Sequence, residues 1–186
     1  MKVFYVSITD DTGIEAISLV EKPAMERDFL CFKNEPVKLA FDSSKHCITG
    51  VICLADTPIY RFSKEYGEYW VIFTKEAIRQ MVQKFAKDNL FNAVNLQHDD
   101  NRYVDDVYMF ESYIVDKERG ICPKEFGEIP DGSWIGTYKV ENEDLWQEII
   151  NGKELNGFSL QGSFNLEEKF NKQEPTFDEW INSFIV

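Results

Sequence analysis

Along most of this chain apolar residues come in short runs rich in valine, isoleucine and aromatic side chains, and each run ends at a cluster of turn-forming residues. Runs of that kind predict strands. Residues 2–7 (KVFYVS) form the first, followed by turn chemistry at Asp10-Asp11-Thr12-Gly13. Residues 14–20 (IEAISLV) form the second, closed by Lys22-Pro23, and two short candidates, 28–32 and 37–41, flank Asn34-Glu35-Pro36. Residues 46–54 (HCITGVICL) carry enough β-branched side chains to sit in the core of a sheet. Further strands are expected over 68–73 (EYWVIF), 91–98 (FNAVNLQH), 104–116 (VDDVYMFESYIVD), 133–140 (SWIGTYKV) and 156–165 (NGFSLQGSFN). In 104–116, alternation places Met109, Glu111 and Tyr113 on one face and Phe110, Ser112 and Ile114 on the other.

Two stretches change to a helical period. Thr74 reads as an N-cap with Glu76 in the first turn, and Ile78, Met81, Val82 and Phe85 make an i, i+3, i+4, i+7 stripe ending near Asp88-Asn89. Asn142 caps a shorter helix carrying Leu145, Trp146, Ile149 and Ile150, which stops at Asn151-Gly152. Many short strands, two helices and no alternation of strand with helix predict an α+β domain on a mostly antiparallel sheet or barrel. The one boundary falls near residue 166. Residues 1–165 make the main domain, and 166–186 a tail that turns from charged and amide residues to the aromatic segment FDEWINSFIV.

Charge removes some functions. Acids outnumber bases 33 to 20, a net charge of −13, which opposes the clustered Lys and Arg that phosphate neutralisation needs. Nucleic acid is therefore disfavoured, and a basic partner surface is favoured. No run approaches the ~18 uninterrupted apolar residues of a membrane span. The start, MKVFYVSITDD, lacks the apolar stretch of a signal peptide, so a cytosolic protein is expected. Cys31, Cys47, Cys53 and Cys122 form no CxxC pair and read as reduced, packed thiols.

A serine hydroxyl needs a base to take its proton and donors to receive the oxyanion. The chain has two histidines. His98 ends an apolar strand before Asp99-Asp100, at a strand-to-loop edge of the kind that faces a cleft, whereas His46 follows the solvated loop Asp42-Ser43-Ser44-Lys45. Ser159 lies in GFSLQGS, where glycines two before and three after let backbone approach a substrate, although the spacing is not that of a GxSxG elbow. By spacing alone, a strand with Gly at its bends and a solvent-facing Ser explains that segment as well. Glu111, a carboxylate among Val107, Met109, Tyr113 and Val115, either faces solvent or orients a partner such as His98. A Mg²⁺ or Mn²⁺ site at His98, Asp99, Asp100 and Glu111 is disfavoured, since adjacent Asp side chains at a strand end diverge.

Five stretches together resemble the XkdF-type family of phage prohead (capsid maturation) serine proteases, relatives of herpesvirus assemblin. They are AISLVEKPA at 16–24; TGVI at 49–52 with PIYR at 58–61; YWVIFTKEAI at 69–78; NLQHD at 95–99 with FESYIV at 110–115; and GTYKV at 136–140 leading through Trp146 to GKELNGFSLQG at 152–162. The resemblance spans roughly residues 13–165 and implies a mostly antiparallel β-barrel flanked by helices, assemblin-like, with no cofactor. It implies Ser159 as nucleophile, His98 as general base and Glu111 as third member, with Glu15, Asp99 and His46 in reserve. The oxyanion donors would lie near Leu160–Gly162. The implied substrates are phage scaffold and major capsid proteins, cut inside the prohead in the infected host's cytoplasm, and a homodimer is compatible with this. A second reading keeps the protease-like fold as a catalytically silent module that binds capsid or scaffold. Its tail, with Phe177, Trp180, Phe184 and Ile185, would then be the docking segment.

Overall fold

The computed structural model describes residues 2–21, 39–151 and 155–168. The candidate strand at 28–32, Cys31 and the aromatic tail lie outside them, and so do the first two residues of the candidate at 37–41, whose last two fall in a described strand. The described strands are β1 (Lys2–Ser7), β2 (Gly13–Val20), β3 (Ala40–Asp42), β4 (Cys47–Cys53), β5 (Pro58–Ser63), β6 (Gly67–Ile72), β7 (Val94–Leu96), β8 (Val107–Ile114), β9 (Trp134–Val140), β10 (Gly157–Ser163) and β11 (Asn165–Glu168). The helices are α1 (Lys75–Lys87) and α2 (Glu143–Ile150). The α+β expectation holds.

The strands form three sheets, ordered β11-β1-β6-β5, β10-β2-β7 and β3-β4-β9-β8. Pairing is antiparallel except for β1 with β6 and β2 with β7. Among the described residues the sheets do not close into the barrel that was expected. One physical reason lies at Phe164. It separates β10, which pairs with β2, from β11, which pairs with β1, so a nearly continuous strand leaves one sheet for another instead of closing either. The boundary drawn at residue 165 therefore falls at the first residue of β11.

The helices are capped as their sequences indicate. Thr74 Oγ1 accepts from the Ala77 N–H at 3.1 Å, and Asn142 Oδ1 from the Leu145 N–H at 2.9 Å. Such caps contribute about 1 kcal/mol each. Helix α1 buries Ala77, Ile78, Met81 and Phe85. The Phe85 ring meets Trp134 and Phe91 edge-on, with centroids 5.1 and 5.4 Å apart, which ties the helix to β9 and to the approach to β7.

Strand β7 is shorter than expected because the chain turns sharply after Leu96. Gln97 and His98 both adopt left-handed backbone, with φ of 56° and 59°. For residues with a Cβ this costs roughly 1 kcal/mol or more each. The Asp99 N–H donates to Leu96 O at 3.1 Å, closing the turn, and the Gln97 N–H donates to Leu19 O at 2.9 Å, tying it to β2. Strand β8 departs from strict alternation too. Its pairing with β9 shifts register between Met109 and Glu111, so Met109 is buried while Phe110 and Glu111 are both exposed.

Cys47 and Cys53 are buried free thiols, as read from the sequence, whereas Cys122 is exposed. No described helix is long and apolar enough to cross a membrane.

Candidate active site

The site is built on one face of the β10-β2-β7 sheet. Register places Ser159 of β10 opposite Ser18 of β2, and Ser18 opposite Asn95 of β7. Residues directly opposite one another project from the same face with Cβ atoms ~5 Å apart, so the three make a polar row across the sheet. Each is almost fully buried, at 4%, 0% and 0% exposure. Buried polar groups need partners. Gln161, two residues along β10 from Ser159, provides one by accepting from Asn95 Nδ2 at 2.6 Å.

The strained turn after β7 sets His98 over this row. One ring nitrogen, Nε2, lies 3.0 Å from Ser159 Oγ, and the other, Nδ1, lies 2.9 Å from Ser18 Oγ. The roles along the chain of contacts follow from its far end. The Gln161 amide N–H donates to the Asp100 carboxylate, leaving Gln161 Oε1 to accept from Asn95 Nδ2. Asn95 Oδ1 then accepts from the Ser18 hydroxyl at 2.6 Å. With its proton committed there, Ser18 Oγ offers a lone pair to Nδ1–H of His98. Nε2 is left bare to accept from Ser159. A single direction of donation thus runs from Ser159 to the Asp100 carboxylate and leaves Nε2 as an acceptor, the tautomer that a general base would require.

The outer side of the imidazole is open to solvent while both nitrogens point inward. Burial is the largest influence on its pKa and lowers it from the ordinary value of 6.5; a contact with Gln161 raises it, and the Arg61 guanidinium lowers it further. The net shift is downward, so the ring is neutral and able to accept a proton at pH 7.

The third member expected from the sequence, Glu111, is not at Nδ1. Ser18 holds that position. Glu111 stands exposed on β8, in another sheet and beyond the register shift that turns it outward. The reserves are placed elsewhere as well. Glu15 accepts from the Ser163 hydroxyl at 3.3 Å, and Asp99 Oδ1 caps its own turn by accepting from the Asn101 N–H at 2.9 Å. His46 stacks on Trp146 with centroids 4.7 Å apart and lies 3.7 Å from Glu143. No cluster of His, Cys, Asp or Glu among the described residues has the geometry of a metal site. Sequence reasoning missed Ser18, Asn95 and Gln161 as site residues. The available signal was a lone polar residue inside an apolar strand: Ser18 between Ile17 and Leu19, Asn95 between Val94 and Leu96.

Residues 42–168 match the model of a protein family described as "Putative phage serine protease XkdF". The chain belongs to this family. The matched region holds His98 and Ser159, whereas β2 and its Ser18 precede it. No curated protein and no solved structure matches the chain.

Close packing holds the nucleophile's strand in place. A Cβ on Gly50 of β4 would lie 2.6 Å from Leu39 Cδ2 and 2.9 Å from the ring of Phe158, the neighbour of Ser159. At Gly162, where β10 shifts register, a Cβ would lie 2.1 Å from Gly13 O, so backbone meets backbone there.

Proposed function

We propose that this chain is a serine endopeptidase that works through an acyl-enzyme and cuts scaffold and capsid precursor proteins during prohead maturation. The observation that carries the reading is the 3.0 Å approach of His98 Nε2 to Ser159 Oγ, with Nδ1 already engaged by Ser18. Membership of a phage serine protease family supports the same chemistry.

In this mechanism Ser159 Oγ attacks the scissile carbonyl carbon as its proton passes to His98 Nε2. Ser18 keeps the imidazolium in place through Nδ1 and takes the position expected for Glu111. The oxyanion is received by backbone N–H groups of β10 near Leu160–Gly162; among the described residues β10 is an edge strand, paired with β2. The positive charge of Arg61, which acts on His98, also favours the negative charge that develops there. His98 then gives its proton to the leaving amine. Water, deprotonated by the same nitrogen, cleaves the ester, releases the acid product and restores Ser159.

The test is labelling by a small alkyl fluorophosphonate, read by intact mass and peptide mapping, together with co-expression of the chain and its phage's capsid precursors. Label on Ser159, and precursor cleavage lost in both Ser159→Ala and His98→Ala, is the expected result. Cleavage that persists in both variants sinks the reading.

A further inference from the structure

A cavity of ≈ 200 Å³ opens beside the nucleophile, and Ser159 itself is part of its wall. Phe158, Ser159 and Leu160 all line it, although successive strand residues point to opposite faces. The cavity therefore borders β10, with Phe158 and Leu160 reaching it from the same face of the strand. Its far wall comes from the four-stranded sheet: Ile59 and Arg61 of β5, Val71 of β6 and Leu166 of β11. Most of the lining is aliphatic or aromatic. A cavity of ~150 Å³ with such walls holds a benzene ring, so this one has room for a phenylalanine, leucine or methionine side chain.

We infer that this cavity is the subsite for the side chain next to the scissile bond, and that the enzyme selects a large apolar residue there. The inference rests on the proposed peptidase reading and adds its substrate class. A substrate backbone laid beside β10 brings a carbonyl to Ser159 and turns the adjoining side chain into the cavity. Two features of the wall set the selectivity. Apolar surface is removed from water when the side chain enters, which favours size up to the limit of the cavity. Lys and Arg are disfavoured because a mostly apolar wall strips water from their charged heads. An alanine leaves the cavity unfilled.

The experiment uses the full chain and a set of peptidyl diphenyl phosphonates that differ only in the side chain beside phosphorus: Phe, Leu, Ala, Lys and Glu. Ser159 Oγ bonds to phosphorus, phenoxide leaves, and the serine proton goes to His98, so the labelling rate reports the subsite directly. Phe and Leu probes are expected to label at least about tenfold faster than Ala or Lys. In Val71→Phe, which fills the cavity, the order should reverse in favour of Ala, while Ile59→Ala should widen the preference toward Phe. Each peptidyl rate is divided by the rate of a small alkyl fluorophosphonate, which needs no subsite, on the same protein, so that any change in the nucleophile itself cancels.

Equal rates across the set, or a preference for Glu, would overturn the inference while leaving the nucleophile in place. A rate that rises only when residues 169–186 are removed, with no change in order, would assign the cavity to the chain's own C-terminal segment and overturn it too. If even the small fluorophosphonate fails, the peptidase reading falls first and takes the subsite with it.

Discussion

Ser18 and Ser159 face each other across the β2–β10 pair, and a single imidazole bridges them, with Nδ1 2.9 Å from one hydroxyl and Nε2 3.0 Å from the other. Two serines that look alike on the sheet therefore have opposite roles: one donates to His98, and the other accepts from it.

Replacing the acceptor tests that asymmetry. Ser18→Ala removes the partner of Nδ1–H and leaves Asn95 Oδ1 without its donor, so the ring is free to take the wrong tautomer. Loss of a triad carboxylate costs about 10⁴ in kcat. For a neutral hydroxyl the expected loss in fluorophosphonate labelling rate is on the order of 10- to 100-fold, smaller because no full charge is removed. Ser18→Thr, which keeps the hydroxyl, should recover part of it. Glu111→Gln should label like the parent chain. An Glu111 variant that abolished labelling would restore the carboxylate to the mechanism.

The acid limb of the pH–rate profile should lie below pH 6.5, because burial and Arg61 both depress the His98 pKa. Arg61→Gln removes the positive charge, makes protonation of His98 easier, and should move the limb to higher pH. The sign for stability is the same. A folded-state pKa below the unfolded value near 6.5 gives a contribution fully present above pH 6.5 and lost as pH falls through the folded value. Labelling rates from pH 4.5 to 8, beside urea midpoints at the same pH values, check both.

At Gly162 an added methyl has no room, since its carbon would lie 2.1 Å from Gly13 O. Gly162→Ala should therefore push β10 away from β2 and cost roughly 1–3 kcal/mol or more of stability. Because the same pairing aligns Ser159 with Ser18, labelling should fall more than urea denaturation alone accounts for. Parent-like labelling would show that the register survives the shift.

Tyr138 offers a change in the opposite direction. Its hydroxyl is buried with no hydrogen-bond partner among the described residues, and its ring lies 4.9 Å from that of Phe158. An unpaired buried hydroxyl costs about 1–3 kcal/mol. Tyr138→Phe keeps the ring and removes the cost, so the thermal midpoint should rise with labelling unchanged. A fall would mean that the hydroxyl has a partner in solution.

The elements were more legible than the site. Caps at Thr74 and Asn142 and the apolar stripe of α1 follow local rules that residues within one turn satisfy by themselves, and they appear where the sequence places them. His98 and Ser159 could be named as candidates because histidines are few and glycines flank the serine. Glu111 failed as third member because alternation along 104–116 breaks at a register shift, and such a shift depends on how β9 pairs, which no local pattern records. Ser18 was hidden for a related reason. Its role depends on facing Ser159 from 141 positions away, and only the sheet makes that juxtaposition. The turn holding His98 was equally opaque, since Gln97 is not a residue type that announces left-handed backbone, and a histidine enters it more readily but does not require it.

The order in which the chain emerges from the ribosome gives the polar row a further meaning. Ser18 leaves first, His98 much later and Ser159 later still, on a strand that must then pair back onto β2. A chain stopped short of residue 163 has the base and its orienting hydroxyl but nothing to attack with. The proposed activity therefore waits on the pairing of β10 with β2.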